Sequence, residues 1–319
     1  MNALLRTRRI AYQAAAVGVA LAIGWYFASN TVANLDERRI ASGFGFLERE
    51  AGFEIGESVL LRYSASDSYL RALLVGLVNT LTVAILGIVL ATALGTGIGL
   101  ARLSRNALVR WVCTAYVEFL RNVPLLVQLF FWYAVITETL PQTREALQPL
   151  PGVFLSNRGI AFPVPGSTPV LSGFNFEGGA VLTPEFAALL TGLFTYTAAF
   201  IAEIVRAGIM AVDRGQLEAA YALGLGRRLT TRKVVLPQAL RVIVPPMTSQ
   251  YLNLTKNSSL AVAIGYPDLV SIANTAINQT GQAIEGIAII MAVYLTISLS
   301  ISALMNWYNA RVALKGGRA

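Results

Sequence analysis

Three places in an otherwise apolar chain carry groups able to hold a charged solute. Glu118 and Arg121 stand three residues apart, as do Glu203 and Arg206, and Lys256 is followed by Asn257 and Ser258. Residues three apart share a helix face. Each Glu–Arg set can therefore close on itself as an ion pair or turn its charges toward a polar path. Lys256 is the only basic residue between Arg241 and Arg311. Its ammonium suits a carboxylate, on a solute or on a neighbour such as Asp268, and it can equally snorkel to a membrane surface. The chain has no histidine, which removes the commonest metal ligand and general base. Its one cysteine, Cys113, cannot form an internal disulfide. This inventory suits binding and passage of a charged solute, not catalysis.

The elements that must position these groups are membrane helices. Of 319 residues, 55% are hydrophobic and 13% charged, where a soluble domain is nearer a quarter charged. The chain reads as an all-α polytopic membrane protein with six spans, over 10–32, 72–101, 111–136, 186–212, 239–254 and 286–310. Arg6, Arg8 and Arg9 precede the first span. Its apolar run is too long for a leader, and bulky Trp25, Tyr26 and Phe27 stand where a small-residue cleavage site belongs, so it is read as uncleaved. The third span carries Glu118, Arg121, Asn122, Pro124 and Gln128. A charge at mid-span costs about 2.5–3.5 kcal/mol, so such residues need partners or a polar cavity. The fifth is expected to break and kink at Pro245-Pro246. The polar stretch 267–284 reads as an external re-entrant or surface segment. Gly95-Thr-Gly-Ile-Gly99 lacks the lysine and serine of a phosphate loop and lies inside a span, so it predicts close helix packing.

Short basic clusters, Arg6–Arg9, Arg102–Arg110, Arg214–Lys233 and Arg311–Arg318, fall on one side of these spans. The two long loops, 33–71 and 137–186, fall on the other. The positive-inside rule puts the clusters and both termini in the cytoplasm. The net charge of +8 is thus topology, not a nucleic-acid surface. The chain divides into an extra first span with its external loop (1–71), a transmembrane domain (72–312) and a tail (313–319). Within the domain, the insertion 138–185 is rich in Pro and Gly, which predicts turns and short strands.

The organising stretch is Gly215 to Pro237. Leu217, Ala220, Tyr221 and Leu225 recur on one helical face, and Glu218 suits the positive end of the dipole. Gly224 and Gly226 are expected to make a bend through positive φ. Arg227, Arg228, Arg232 and Lys233 follow, and Pro237 opens the next span. A short amphipathic helix, a bend and a basic return suit a docking knob, and also a helix lying on the membrane surface.

Glu218-Ala219-Ala220, then Gly224, Val234 and Leu236-Pro237, match the spacing of the EAA loop in ABC importer permeases. Valine stands where that family usually has isoleucine. The strings EFLRNVPLLVQLFF (118–131), TYTAAFIAEIVRAGIMAVDRGQLEAA (195–220) and LTKNSSLA resemble polar amino acid permeases, with Asn257 where aspartate is common. NTVANLDERRIASGFGFLEREAGFEIGES (30–58), with the extra first span and the insertion, is similar to the Q-type permease of general L-amino acid importers. The resemblance implies the type I ABC importer permease fold in a bacterial inner membrane. It makes Glu218, Ala219, Ala220, Leu223, Gly224, Gly226 and Pro237 a coupling helix docked on an ATPase. Partners implied are a second permease, a different chain in that subgroup, two ATPase subunits, a periplasmic amino acid-binding protein and membrane lipid. No nucleic acid is implied. No Walker A sequence is present, so ATP-Mg belongs to the ATPase partner and this chain carries no cofactor. Arg121, Asn122, Gln128, Glu203, Lys256, Asn257 and Ser258 are the candidates for the substrate pathway. The competing class is an ion-coupled secondary carrier or channel without ATPase, against which the EAA spacing and the lack of an inverted repeat both speak.

Overall fold

The computed structural model describes residues 2–37, 42–58, 60–173 and 175–312. The expected tail 313–319, with Lys315 and Arg318, lies outside the described residues, as do the side chains of Arg6, Arg8 and Arg9. Ten α-helices are present among them: α1 Asn2–Glu37, α2 Tyr69–Ala101, α3 Ala107–Asn122, α4 Leu125–Ala134, α5 Pro184–Met210, α6 Arg214–Ala222, α7 Arg227–Thr230, α8 Leu236–Asn257, α9 Leu269–Thr280 and α10 Ala283–Val312. Four helices are long and apolar enough to cross a membrane, or up to six spans if each of two bent pairs is one.

The third expected span is one of those pairs. It is not one straight helix: α3 and the helix beginning with α4 meet at 106°. The cause is local. Pro124 offers no N–H and pushes Val123 out of the α region, and Val123 is extended, with φ −94° and ψ 127°. The fifth expected span differs in the opposite sense, for α8 runs on through Pro245 and Pro246 without a break. Both prolines are exposed, so the carbonyls they free open away from the core. It continues as a 3-10 turn, Ser258–Ile264, and then bends into α9 by 53°. The segment read as an external re-entrant or surface stretch is thus a packed helix, with Leu269, Ile272, Ala273 and Ala276 buried, in a bent pair that is a broken span or a re-entrant loop.

The core is built where α2, α4, α5 and α8 cross, around Val83, Leu129, Leu189, Leu193, Ile201 and Leu254. In a bilayer, contact between helices depends on close approach and not on escape from water. Gly95 and Gly99 supply that approach. A Cβ on Gly95 would lie 2.7 Å from the Ala198 carbonyl oxygen, and one on Gly99 2.7 Å from that of Ala202. The described side chains of α1 are exposed along its length.

The insertion forms short strands, as its composition predicts. β1 Leu147–Leu150, β2 Val153–Ser156, β3 Gly159–Phe162 and β6 Ala180–Leu182 make an antiparallel sheet in the order β1-β2-β3-β6. β4 Val170–Ser172 and β5 Asn175–Glu177 make a separate hairpin, joined to the sheet by the Phe154–Phe176 stack. On the same end of the bundle, residues 43–58 strap the helix ends together. Phe46 is buried against Tyr69. The Glu57 carbonyl accepts from Asn79 of α2, and its carboxylate accepts from the Thr183 hydroxyl at the start of α5 at 2.5 Å. The Gly43 amide donates to Glu285 of α10. Burial pushes the Glu57 carboxyl above its ordinary value, partly offset by the Thr183 hydrogen bond, while the Glu185 charge adds to the rise.

Candidate functional site

At the opposite end of the bundle, α5 passes through Ala211–Asp213 into α6. The Asp213 carboxylate accepts from the Gly215 amide at 2.6 Å and caps the helix start. The other end closes through Gly224, whose φ is +76°. Leu225 N–H donates to Ala220 O at 3.0 Å and Gly224 N–H to Tyr221 O at 2.9 Å. This is the paired six-to-one and five-to-two bonding of a Schellman cap, which needs a left-handed residue at Gly224. Gly226 plays a different part from the one expected. Its φ is −66°, and it starts α7 by accepting from Leu229 and Thr230. The bend thus rests on Gly224 alone.

The amphipathic reading of α6 places its faces. Ala220 is buried and Leu217 and Leu225 are half-buried, with Tyr221 on the rim. Leu217 and Tyr221 help to line a cavity of about 640 Å³ over the ends of α2, α5 and α8, with Leu103, Arg105, Ile209 and Leu236. Glu218, Ala219 and Leu223 point outward, Leu223 at 81% exposure. A helix capped at both ends with an apolar tip in solvent has its surface free for a partner. Pro237 sits in the first turn of α8, after a π turn over Thr231–Val235 closed by Leu236 N–H to Thr231 O. That wider turn makes room for the proline ring.

The candidates for a polar path separate into distinct settings. Arg121 does not pair with Glu118; its guanidinium lies 5.1 Å over the ring of Phe200, a cation–π contact from α3 to α5. Asn122 is exposed, and its amide donates to Glu118 O within α3. Gln128 is buried and braces the α3–α4 elbow, donating to Leu120 O at 2.9 Å and Val123 O at 3.0 Å. These carbonyls belong to a helix end without helical partners, which accounts for the glutamine. Glu203 holds Arg206 at 2.5 Å and also Arg102 of α2 at 2.5 Å. Both of its oxygens are engaged. The i, i+3 spacing found Arg206, whereas Arg102 is 101 residues away and carries no local signal.

Lys256 is exposed at the end of α8 and makes no ion pair among the described residues. Asp268 is not its partner: it is fully buried and caps α9, accepting from Ser271 N–H at 2.8 Å. Asn257 is half-buried, and the buried Ser258 hydroxyl donates to Thr255 O at 2.8 Å. Sequence reasoning takes in Asn253 as part of the polar run to Lys256 but passes over Ser249. Ser249 and Asn253 are exposed on the same stripe as Lys256, at i, i+4 and i+7, a spacing legible in the sequence. Toward the start of α8, Arg241 keeps Nε and Nη2 buried without an acceptor among the described residues. A polar stripe on a helix of this kind faces a second subunit or water, because lipid offers it no partners.

Residues 93–314 match the family described as binding-protein-dependent transport system inner membrane component. The chain is 47% identical over 365 residues to the putative amino-acid ABC transporter permease protein YhdX of Escherichia coli, covering 94% of this chain and 92% of that one. It is 44% identical over 371 residues to the general L-amino acid transport system permease protein AapQ of Rhizobium johnstonii, covering 96% and 92%. Among solved structures, an amino acid ABC transporter crystallised with histidines superposes with a TM-score of 0.58 at 28% identity, over 76% of this chain and 95% of that chain.

Proposed function

The chain belongs to the family of binding-protein-dependent transport system inner membrane components, and from that premise we propose that it carries L-amino acids, as the permease subunit of an ATP-driven importer in a bacterial inner membrane. It is a transporter's membrane component and not an enzyme. Its partners are a second permease, two ATPase subunits that hold ATP-Mg, and a periplasmic binding protein. Lipid surrounds the assembly, both termini are cytoplasmic, and the strap and the insertion face the binding protein's side.

The observation that carries this reading is α6. It is capped at both ends and exposes Glu218, Ala219 and Leu223 beyond the bundle, the shape a groove in an ATPase can hold. Movement of the ATPase displaces α6 and, through the three residues that join them, α5. The glycine contacts and the Arg102–Glu203 pair carry α2 with α5, so the two move as one lever and alternate access to the path. The path runs along the polar stripe of α8 to Lys256 and Asn257. The ammonium of Lys256 suits the solute carboxylate. Arg121 and Asn122 are the remaining exposed candidates, while Ser258 shapes the turn.

The test is uptake of a labelled amino-acid panel into vesicles that hold this chain with its permease, ATPase and binding-protein partners. Uptake that needs both ATP and the binding protein is expected. Uptake driven by an ion gradient without ATP overturns the proposal.

A further inference from the structure

Three buried polar side chains and the hydroxyl of half-buried Tyr294 meet between α2, α9, α10 and the 3-10 turn that follows Lys256. Asp268 is fully buried, and so is Thr80; Ser258 is 1% exposed. The hydroxyl of Tyr294, from α10, lies against Asp268, Ser258 and Thr80. Thr80 accepts from the Leu269 amide at 3.1 Å, and Asn79 donates to Pro267 O at 2.9 Å, so the start of α9 is fixed to α2. Asp268 spends only Oδ1 on its cap. Oδ2 and the Tyr294 hydroxyl are both buried, and neither makes a hydrogen bond of full geometry. A buried carboxylate oxygen and a buried phenol hydroxyl side by side are costly unless they bond.

We infer that Asp268 and Tyr294 are positioning residues that set the turn at Ser258 and, through it, the placing of Lys256 and Asn257 in the path. The inference rests on the path proposed above. The physical chain is short. The Tyr294 hydroxyl stands between the α9 cap and Ser258, and Ser258 is already tied to Thr255 O. Rotation of this turn therefore drags against a hydrogen-bonded cluster anchored in α2, the helix that moves with α5. The cluster touches no solute; it decides how far Lys256 and Asn257 reach into the path when α2 shifts. The loose Asp268–Tyr294 contact belongs to one arrangement of the helices and tightens in the other.

The experiment uses the complete importer in vesicles, with Cys113→Ser and Ser259→Cys introduced so that one thiol in this chain reports on the turn. Its rate of modification by a water-soluble thiol reagent is read by mass spectrometry, alongside amino-acid uptake. Tyr294→Phe removes only the hydroxyl. It is expected to change the modification rate about tenfold, as loss of one buried hydrogen bond of about 1.4 kcal/mol in the tightened arrangement predicts, and to slow uptake. Asp268→Asn, which keeps an acceptor for the cap and offers Tyr294 a donor, is expected to restore most of both relative to Asp268→Ala. Unchanged labelling in Tyr294→Phe overturns the positioning, whatever happens to uptake. A Lys256→Ala complex that imports normally overturns the path itself, whatever Tyr294 does, so the two failures are told apart.

Discussion

Arg102 reaches from the end of α2 to Glu203 in the second half of α5 at 2.5 Å, just beyond the point where Gly95 and Gly99 bring the two backbones together. Glu203 holds Arg206 as well. One carboxylate thus neutralises one of two guanidiniums, and the site keeps a net positive charge. Removing the acid leaves two cations face to face, whereas removing Arg102 leaves an ordinary i, i+3 pair. Glu203→Gln is therefore expected to lower stability more than Arg102→Met, which is expected to cost about 2 kcal/mol, between the values for exposed and buried pairs. Thermal unfolding of the solubilised complex ranks the two variants.

The glycine contacts give a paired test. Gly95→Leu drives a side chain into the Ala198 carbonyl and Ile201, while Gly97→Leu meets nothing within 4 Å. Gly95→Leu should prevent α2 from seating on α5 and abolish recovery of folded protein. Gly97→Leu should behave as wild type. Similar losses for both would remove the packing explanation.

For α6, the proposed docking element, Glu218→Lys alters only an exposed residue. It should leave thermal stability unchanged, reduce co-purification of the ATPase and uncouple uptake. Gly224→Val forces a β-branched residue into a left-handed conformation at about 1–2 kcal/mol, loosening the cap and with it the presentation of Leu223. Import at the normal rate in both variants would mean that α6 is not the docking element.

The strap predicts a pH dependence. Because the folded state raises the Glu57 carboxyl above 4.5, the folded state holds the proton more tightly than the unfolded chain. The stabilising contribution is fully present below 4.5 and is lost as the pH rises through the higher folded value. Glu57→Gln mimics the neutral form. Its unfolding temperature should lack this fall, and a parallel decline in wild type and variant would assign the pH effect elsewhere.

At the elbow, Gln128→Leu removes two hydrogen bonds to the end carbonyls of α3. The expected loss is about 1–3 kcal/mol, visible in thermal unfolding, with the amino-acid selectivity of uptake unchanged. A change in selectivity instead would return Gln128 to the path.

Much was legible in the sequence because it is local. Apolar run lengths and low charge determined a helical membrane protein, and the Pro- and Gly-rich composition of the insertion determined its strands. The spacing from Leu217 to Gly224 determined a short capped helix, since caps and periodicity are written within a few residues. The elbow at Val123–Pro124 was equally local and was missed: in so apolar a run, hydropathy continued the span through a proline that ends the helix. What only the tertiary structure decided is partnership. Arg102 joins Glu203, Arg121 prefers Phe200 to Glu118, Asp268 turns inward to cap α9 and not outward to Lys256, and Tyr294 meets Ser258. Each choice depends on which helices cross and at what height. The small residues fix that crossing collectively, and one charged side chain in a sequence cannot express it.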